Sequence, residues 1–148
     1  MTNNSVDASD SASDGPQRLI AQACRVLAHR GLAEDILGHV SLRDGHDALY
    51  VRSRGPNERG LLFTEPGDVK LVGLDGDRTL PGGYQVPNEL PIHVEVLRAR
   101  PDAQAVVHVH PVEVVAADLA GLELAPIVGA YNIPAMRMAK DGIPVYPR

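Results

Sequence analysis

Two histidines, His108 and His110, stand two residues apart in the run AVVHVH over residues 105–110. On a β-strand, residues i and i+2 share a face, with Cα atoms about 6.5 Å apart at a rise of about 3.3 Å per residue. Two imidazoles so placed can grip one metal ion, and imidazole nitrogen suits zinc, manganese or iron better than magnesium or calcium. Just upstream, Glu89 and His93 are four apart, the spacing that puts both on one face of a helix. A carboxylate held beside such an ion is placed to move a proton. Each residue alone has an ordinary explanation: polar groups at a strand end, an acid favoured by a helix dipole, a half-buried helical imidazole. Their company makes the chemical reading the stronger one.

These side chains need elements to bring them together. Asn88 is a plausible N-cap, after which Leu90, Val94 and Leu97 repeat at helical spacing until Arg100-Pro101 ends the segment, with Glu89 in the first turn. Residues 105–110 read as a buried strand, and Pro111 opens another helix through Ala120 with Gly121 behind it. Earlier, Pro16 starts an amphipathic helix with Leu19, Ile20, Ala23, Cys24 and Leu27 on one face and Gly31 as its stop. Short β-prone runs at 40–42, 49–51 and 61–63 are separated by the turns Asp44-Gly45 and Gly55-Pro56-Asn57, which favours antiparallel pairing. A further strand is expected over 69–74, with a turn at Asp75-Gly76-Asp77, a loop at Pro81-Gly82-Gly83, and shorter strands at 124–128 and 143–146. Residues 1–15 are Ser, Asp and Asn with hardly an apolar side chain and read as a disordered tail. Residues 16–148 are then one domain.

Composition narrows the function. With no Trp and a single Phe, the core must be built from Val, Leu, Ile and Ala. A formal charge of −5 offers no basic surface for phosphate backbones or anionic lipid, so a small-molecule substrate is expected rather than nucleic acid or membrane. Cys24 is the lone cysteine, which excludes an intrachain disulfide; in a helix it reads as core. The absence of a long apolar run, and of a basic stretch leading into an apolar core, fits a cytoplasmic protein.

The series Gly38-His-Val-Ser41, Glu89-Leu-Pro-Ile-His93, Arg100-Pro-Asp102 and Val107-His-Val-His-Pro111 resembles the class II aldolase/adducin family over roughly residues 16–148. Each motif alone is common, but the order at this spacing is specific. The resemblance implies an α/β fold, a three-layer α/β/α sandwich with a largely antiparallel sheet, usually a homotetramer with active sites between subunits. It implies that His108 and His110 bind a divalent metal, commonly zinc or manganese, with Glu89 as a further metal residue and the acid/base group at that metal. Family members cleave, epimerise, dehydrate or decarboxylate small hydroxylated carbonyl compounds. Breaking a C–C bond beside a carbonyl leaves negative charge on carbon, and a Lewis acid stabilises the resulting enolate.

The chain departs from the family pattern in two ways. Family enzymes usually draw a third metal histidine from a Gly-His-Gly stretch beyond the equivalent of residues 143–147, whereas this sequence stops at Arg148. A piece of a longer protein, truncated before the end of the domain, is the expectation, with a rebuilt site or lost catalysis as alternatives. Family sugar-phosphate aldolases also carry a Gly-Asn loop, a Thr/Ser-Gly turn and a Ser-Ser pair at the anion site; here the matching positions read Gly38-His39, Thr64-Glu65-Pro66-Gly67 and Pro87-Asn88. Lost hydroxyls and the added Glu65 charge weaken a phosphate reading. Gly38, His39, Ser41, Thr64, Gly67 and Asn88 are the candidate substrate contacts, with His39 placed to bind a carboxylate as in the family's decarboxylases of aromatic hydroxy acids. Tyr131 resembles a tyrosine that some members lend to a neighbouring subunit as proton donor. The reading is a metal-dependent lyase, an aldolase or decarboxylase; the alternatives are an adducin-like assembly domain without catalysis, or a sugar-phosphate aldolase, epimerase or dehydratase.

Overall fold

The computed structural model describes residues 15–75, 80–123, 125, 129 and 132–145. Chain contacts divide into two compact units, one reaching to His110 and one from Pro111 on. The first holds α1 (Gly15–His29), β1 (His39–Asp44), β2 (Ala48–Arg52), β3 (Val69–Gly73), α2 (Leu90–Ala99) and β4 (Ala105–His108). The second holds α3 (Val112–Leu119) and α4 (Ile133–Met138).

The four strands form one antiparallel sheet in the order β3-β2-β1-β4. Strand alternation sends successive side chains to opposite faces, so each face acquires its own core. Leu49 and Val51 of β2 and Val72 of β3 pack against Leu90, Val94 and Leu97 of α2. On the other face Val40 and Val69 meet Ile20 and Cys24 of α1. Leu97 and Ile20 are each 1% exposed, and burying a side chain of that size contributes about 1.5–3 kcal/mol. The result is the expected helix–sheet–helix layering.

Local chemistry explains the joints. β1 and β2 are closed by Gly45-His46-Asp47, with Gly45 at φ +61°, a three-residue hairpin loop that uses the left-handed glycine. Arg43 donates from its guanidinium to the carbonyls of Leu97 and Arg100, which lack a partner at the C-terminal end of α2, and to Ala103 O in the turn that follows. In the second unit, Gly121 at φ +67° follows α3 as the sequence indicates, and the Asn132 side chain accepts from Ala135 N at 3.2 Å to start α4, a helix the sequence reading did not foresee.

Several expectations are corrected. Leu61–Phe63 is a 3-10 turn, not a strand: the Thr64 hydroxyl donates to Leu61 O at 2.8 Å, and that local bond competes with a ladder. The strand at 105–110 ends at His108 and lies at the sheet edge, with Val107 53% exposed rather than buried. Asn88 does not cap α2; Glu89 holds the cap position, without a side-chain cap bond, and Pro91 in the first turn removes one donor that would need capping. Leu19 lies on the exposed side of α1. Gly15, assigned to the tail, is the first residue of α1, while residues 1–14 lie outside the described residues. So does nearly all of 124–128, and the described residues 143–145 form no strand. No helix among the described residues is long and apolar enough to cross a membrane.

Candidate active site

Antiparallel register assembles the site from both strands and helix. His39 of β1 pairs with His108 of β4, and Ser41 with Val106. Val106 packs on the α2 cluster, so the same alternation turns His39, Ser41 and His108 towards α2. From that helix come His93 and, at its cap, Glu89. The paired rings of His39 and His108 stack, centroids 4.8 Å apart and planes 11° from parallel.

A hydrogen-bonded row runs inward from Glu89. His39 Nε2 lies 3.3 Å from Glu89 Oε2, His39 Nδ1 lies 2.9 Å from His93 Nε2, and His93 Nδ1 lies 2.7 Å from Ser41 Oγ. Glu89 is partly exposed, whereas His39, His93 and Ser41 are buried. An ionised carboxylate only accepts, so His39 donates to it from Nε2. A neutral His39 then accepts at Nδ1 from His93 Nε2–H, and His93 accepts at Nδ1 from the Ser41 hydroxyl. Every buried polar atom in the row thereby has a partner.

The electrostatics favour that arrangement. Burial, reinforced by His108, lowers His39 to about 4 against the pull of Glu89. Burial, with His39 and His108, lowers His93 to about 3. His108 is lowered too, by burial and then by His110. At Glu89 burial pushes the carboxyl up, but its backbone N–H and His39 outweigh that and hold it below the ordinary carboxylate range.

His108 Nε2 and His110 Nε2 face one another across 2.7 Å, their rings nearly perpendicular at 79°. At that separation the two nitrogens share a proton in an N–H···N hydrogen bond, and the convergence of two imidazole nitrogens on one point is also what two ligands of a divalent transition ion require. Among the described residues no three His, Cys, Asp or Glu side chains are arranged to hold an ion. Glu89 thus stands on His39 and does not close a three-donor group with the pair.

The other candidates divide. Gly38, at φ +83°, is needed for space: a Cβ there would lie 2.9 Å from Ala33 Cβ and 3.1 Å from His108 O. Asn88 is exposed next to Glu89. Thr64 is buried with its hydroxyl on Leu61 O, Gly67 is exposed in the Pro66–Asp68 turn, and no hydrogen bond or ring contact among the described residues links either to the imidazoles. Tyr131 lies outside the described residues. His93 carries no role in the motif series beyond converging with Glu89; its spacing of four from Glu89 is the available signal.

A family model described as the class II aldolase and adducin N-terminal domain matches residues 18–148. The chain belongs to this class II aldolase/adducin family. The 3,4-dihydroxyphthalate decarboxylase of Arthrobacter keyseri is 63% identical to it over 138 residues, covering 90% of this chain and 56% of that protein. The protein of the same name from Terrabacter sp. strain DBF63 is 58% identical, over 89% of this chain and 56% of its own length. The chain therefore spans about half the length of these curated relatives. L-fuculose 1-phosphate aldolase from Glaciozyma antarctica PI12 superposes with a TM-score of 0.64 over 84% of this chain and 51% of its own, at 23% identity, which carries the class II aldolase fold alone.

Proposed function

We propose that this class II aldolase-family chain is the part of a divalent-metal-dependent decarboxylase that carries the acid/base carboxylate and two metal histidines, acting on a hydroxylated aromatic acid of the 3,4-dihydroxyphthalate type. The observation that carries the reading is the convergence of the His108 and His110 Nε2 atoms next to the His39–Glu89 pair. The identity of 63% to a decarboxylase of that name supports the substrate class.

His108 and His110 would hold the ion, zinc ahead of manganese, with a third ligand from outside the described residues. When bound, the cation supplies Lewis acidity for the negative charge that C–C cleavage leaves on the substrate. Glu89, kept ionised, takes a proton from a ring hydroxyl. As carbon dioxide leaves, the electron pair of the broken bond stays on the ring carbon, and Glu89 returns the proton there. His39 holds Glu89 through Nε2–H and is itself held by His93 and Ser41. The family's homo-oligomeric assembly, with Tyr131 reaching a neighbouring site, belongs to the same proposal. The assembly-domain alternative offers no reason to bury His39 and His93 against Glu89, and the placement of Thr64 and Gly67 gives a sugar phosphate no support.

The test is metal content together with carbon dioxide release. Purified protein should hold close to one transition-metal ion per chain and release carbon dioxide from 3,4-dihydroxyphthalate. His108→Ala should remove both. Equal metal content in the variant would defeat the assignment.

A further inference from the structure

Arg54 follows β2 directly after the buried Ser53. Its backbone forms an isolated antiparallel bridge with Gln85: Arg54 N–H donates to Gln85 O and Gln85 N–H to Arg54 O, both at 2.8 Å. Gln85 stands four residues before Glu89, so the bridge ties Arg54 to the segment that delivers the acid/base carboxylate. On the other side, β1 and β2 pair Ser41 with Val51, and two residues further towards the site along each chain stand His39 and Ser53. The backbone of Arg54 is thereby tied to both halves of the site, and its charge is felt at His39.

Among the described residues the guanidinium itself has nothing to hold. Arg52 is paired with Glu58, Arg59 with Glu65, Arg98 with Glu95 and Arg100 with Asp102. Arg54 has neither an ion pair nor a side-chain hydrogen bond among the described residues, and its Nε is buried without an acceptor. Arg52 Nε is also buried without a partner, but that side chain already has its carboxylate. A buried donor left unpaired is unfavourable, and the planar guanidinium fork matches a carboxylate with two parallel bonds. A vicinal aromatic dicarboxylate loses one carboxylate as carbon dioxide and keeps the other. That second anion enters a site whose own fixed charge includes the Glu89 carboxylate, so it needs a cation of its own.

We propose that Arg54 binds the carboxylate that an aromatic dicarboxylate substrate retains, and so sets the preference for a diacid over a monoacid. The link to turnover rests on the decarboxylase reading; the binding of an aromatic carboxylate does not. Calorimetric titration of the purified protein with benzene-1,2-dicarboxylate and, separately, with catechol tests it, with Arg54→Gln and Arg54→Lys as variants and circular dichroism melts as the check on folding. Arg54→Gln should weaken the dicarboxylate by about 10- to 100-fold, the range set by a charge-assisted hydrogen bond, with Arg54→Lys in between and catechol unchanged. Equal dicarboxylate affinity in wild type and Arg54→Gln overturns the assignment. So does a parallel loss of catechol binding, or a wild type that does not bind the dicarboxylate. If Arg54→Gln selectively loses the dicarboxylate while wild type releases no carbon dioxide from 3,4-dihydroxyphthalate, the anchor stands and the reaction assigned above falls.

Discussion

On the α1 side of the sheet, Ile20, Cys24, Val40, Leu61 and Val69 make an apolar contact from end to end, whereas on the α2 side the Leu90–Val94–Leu97 contact gives way to Ser41, His39, His93 and His108. Both faces are built by the same alternation of the same strands. The difference lies in how polar atoms are satisfied. The α1 face buries few, while the α2 face buries a row in which each imidazole nitrogen accepts from or donates to the next, with the row ending on a partly exposed carboxylate. One face therefore supplies cohesion; the other trades part of its cohesion for ordered protons.

Four measurements break or sharpen that contrast. The largest effect belongs to cohesion: Leu97→Ala on the α2 face and Ile20→Ala on the α1 face should each cost about 2–5 kcal/mol in denaturant unfolding, because both side chains are 1% exposed. A loss well under 1 kcal/mol at Leu97 would mean that the α2 contact is not a true core. Acid should next single out the α2 face. His39 and His93 have folded values near 4 and 3, below the ordinary 6.5, so the unfolded chain takes up protons first. Metal-free protein should keep its stability above about pH 6.5 and lose a few kcal/mol as pH falls towards 4. His39→Phe should flatten the profile; an unchanged slope would remove His39 as its source.

Under the proposed decarboxylation, a smaller effect confined to turnover is expected from the row itself. His93→Leu removes the donor to His39 and should lower kcat about 10- to 100-fold, while His93→Gln, which keeps an N–H at similar reach, should recover much of the rate. Equal losses in both variants would reduce His93 to packing. The smallest effect concerns Cys24. Burial pushes its thiol up to about 11, so native protein should resist alkylation at pH 8 and react only on unfolding. Rapid labelling would show that the α1 face opens.

Much of this is legible in the amino-acid sequence. Residues 40–42 and 49–51 are short β-prone runs with the turn residues Asp44-Gly45 between them, so the central hairpin follows from local chemistry. His108 and His110 were found because a spacing of two is a strand property, although the strand ends at His108 and the two rings still converge. Residues 61–63 misled because Leu-Leu-Phe has strand character while the deciding bond, Thr64 to Leu61, is made by a hydroxyl whose direction no spacing reveals. Thr64 and Gly67 are candidates by motif position alone; the Thr64 hydroxyl is bonded to Leu61 O and Gly67 stands in the Pro66–Asp68 turn. Arg54 gives no signal in the sequence, since what distinguishes it from Arg52 and Arg59 is the lack of a partner among the described residues, a fact that exists only in three dimensions.

Arg43 lies four residues beyond His39 on β1, about 13 Å along the strand, and grips the far end of α2 and the turn after it by three carbonyls. The strand therefore works as a ruler: one end carries an imidazole of the site, and the other fixes the helix whose start carries Glu89. Loops may lengthen or shrink elsewhere without altering that span. A lysine at position 43 would reach one carbonyl at a time and leave the ruler with a loose mark.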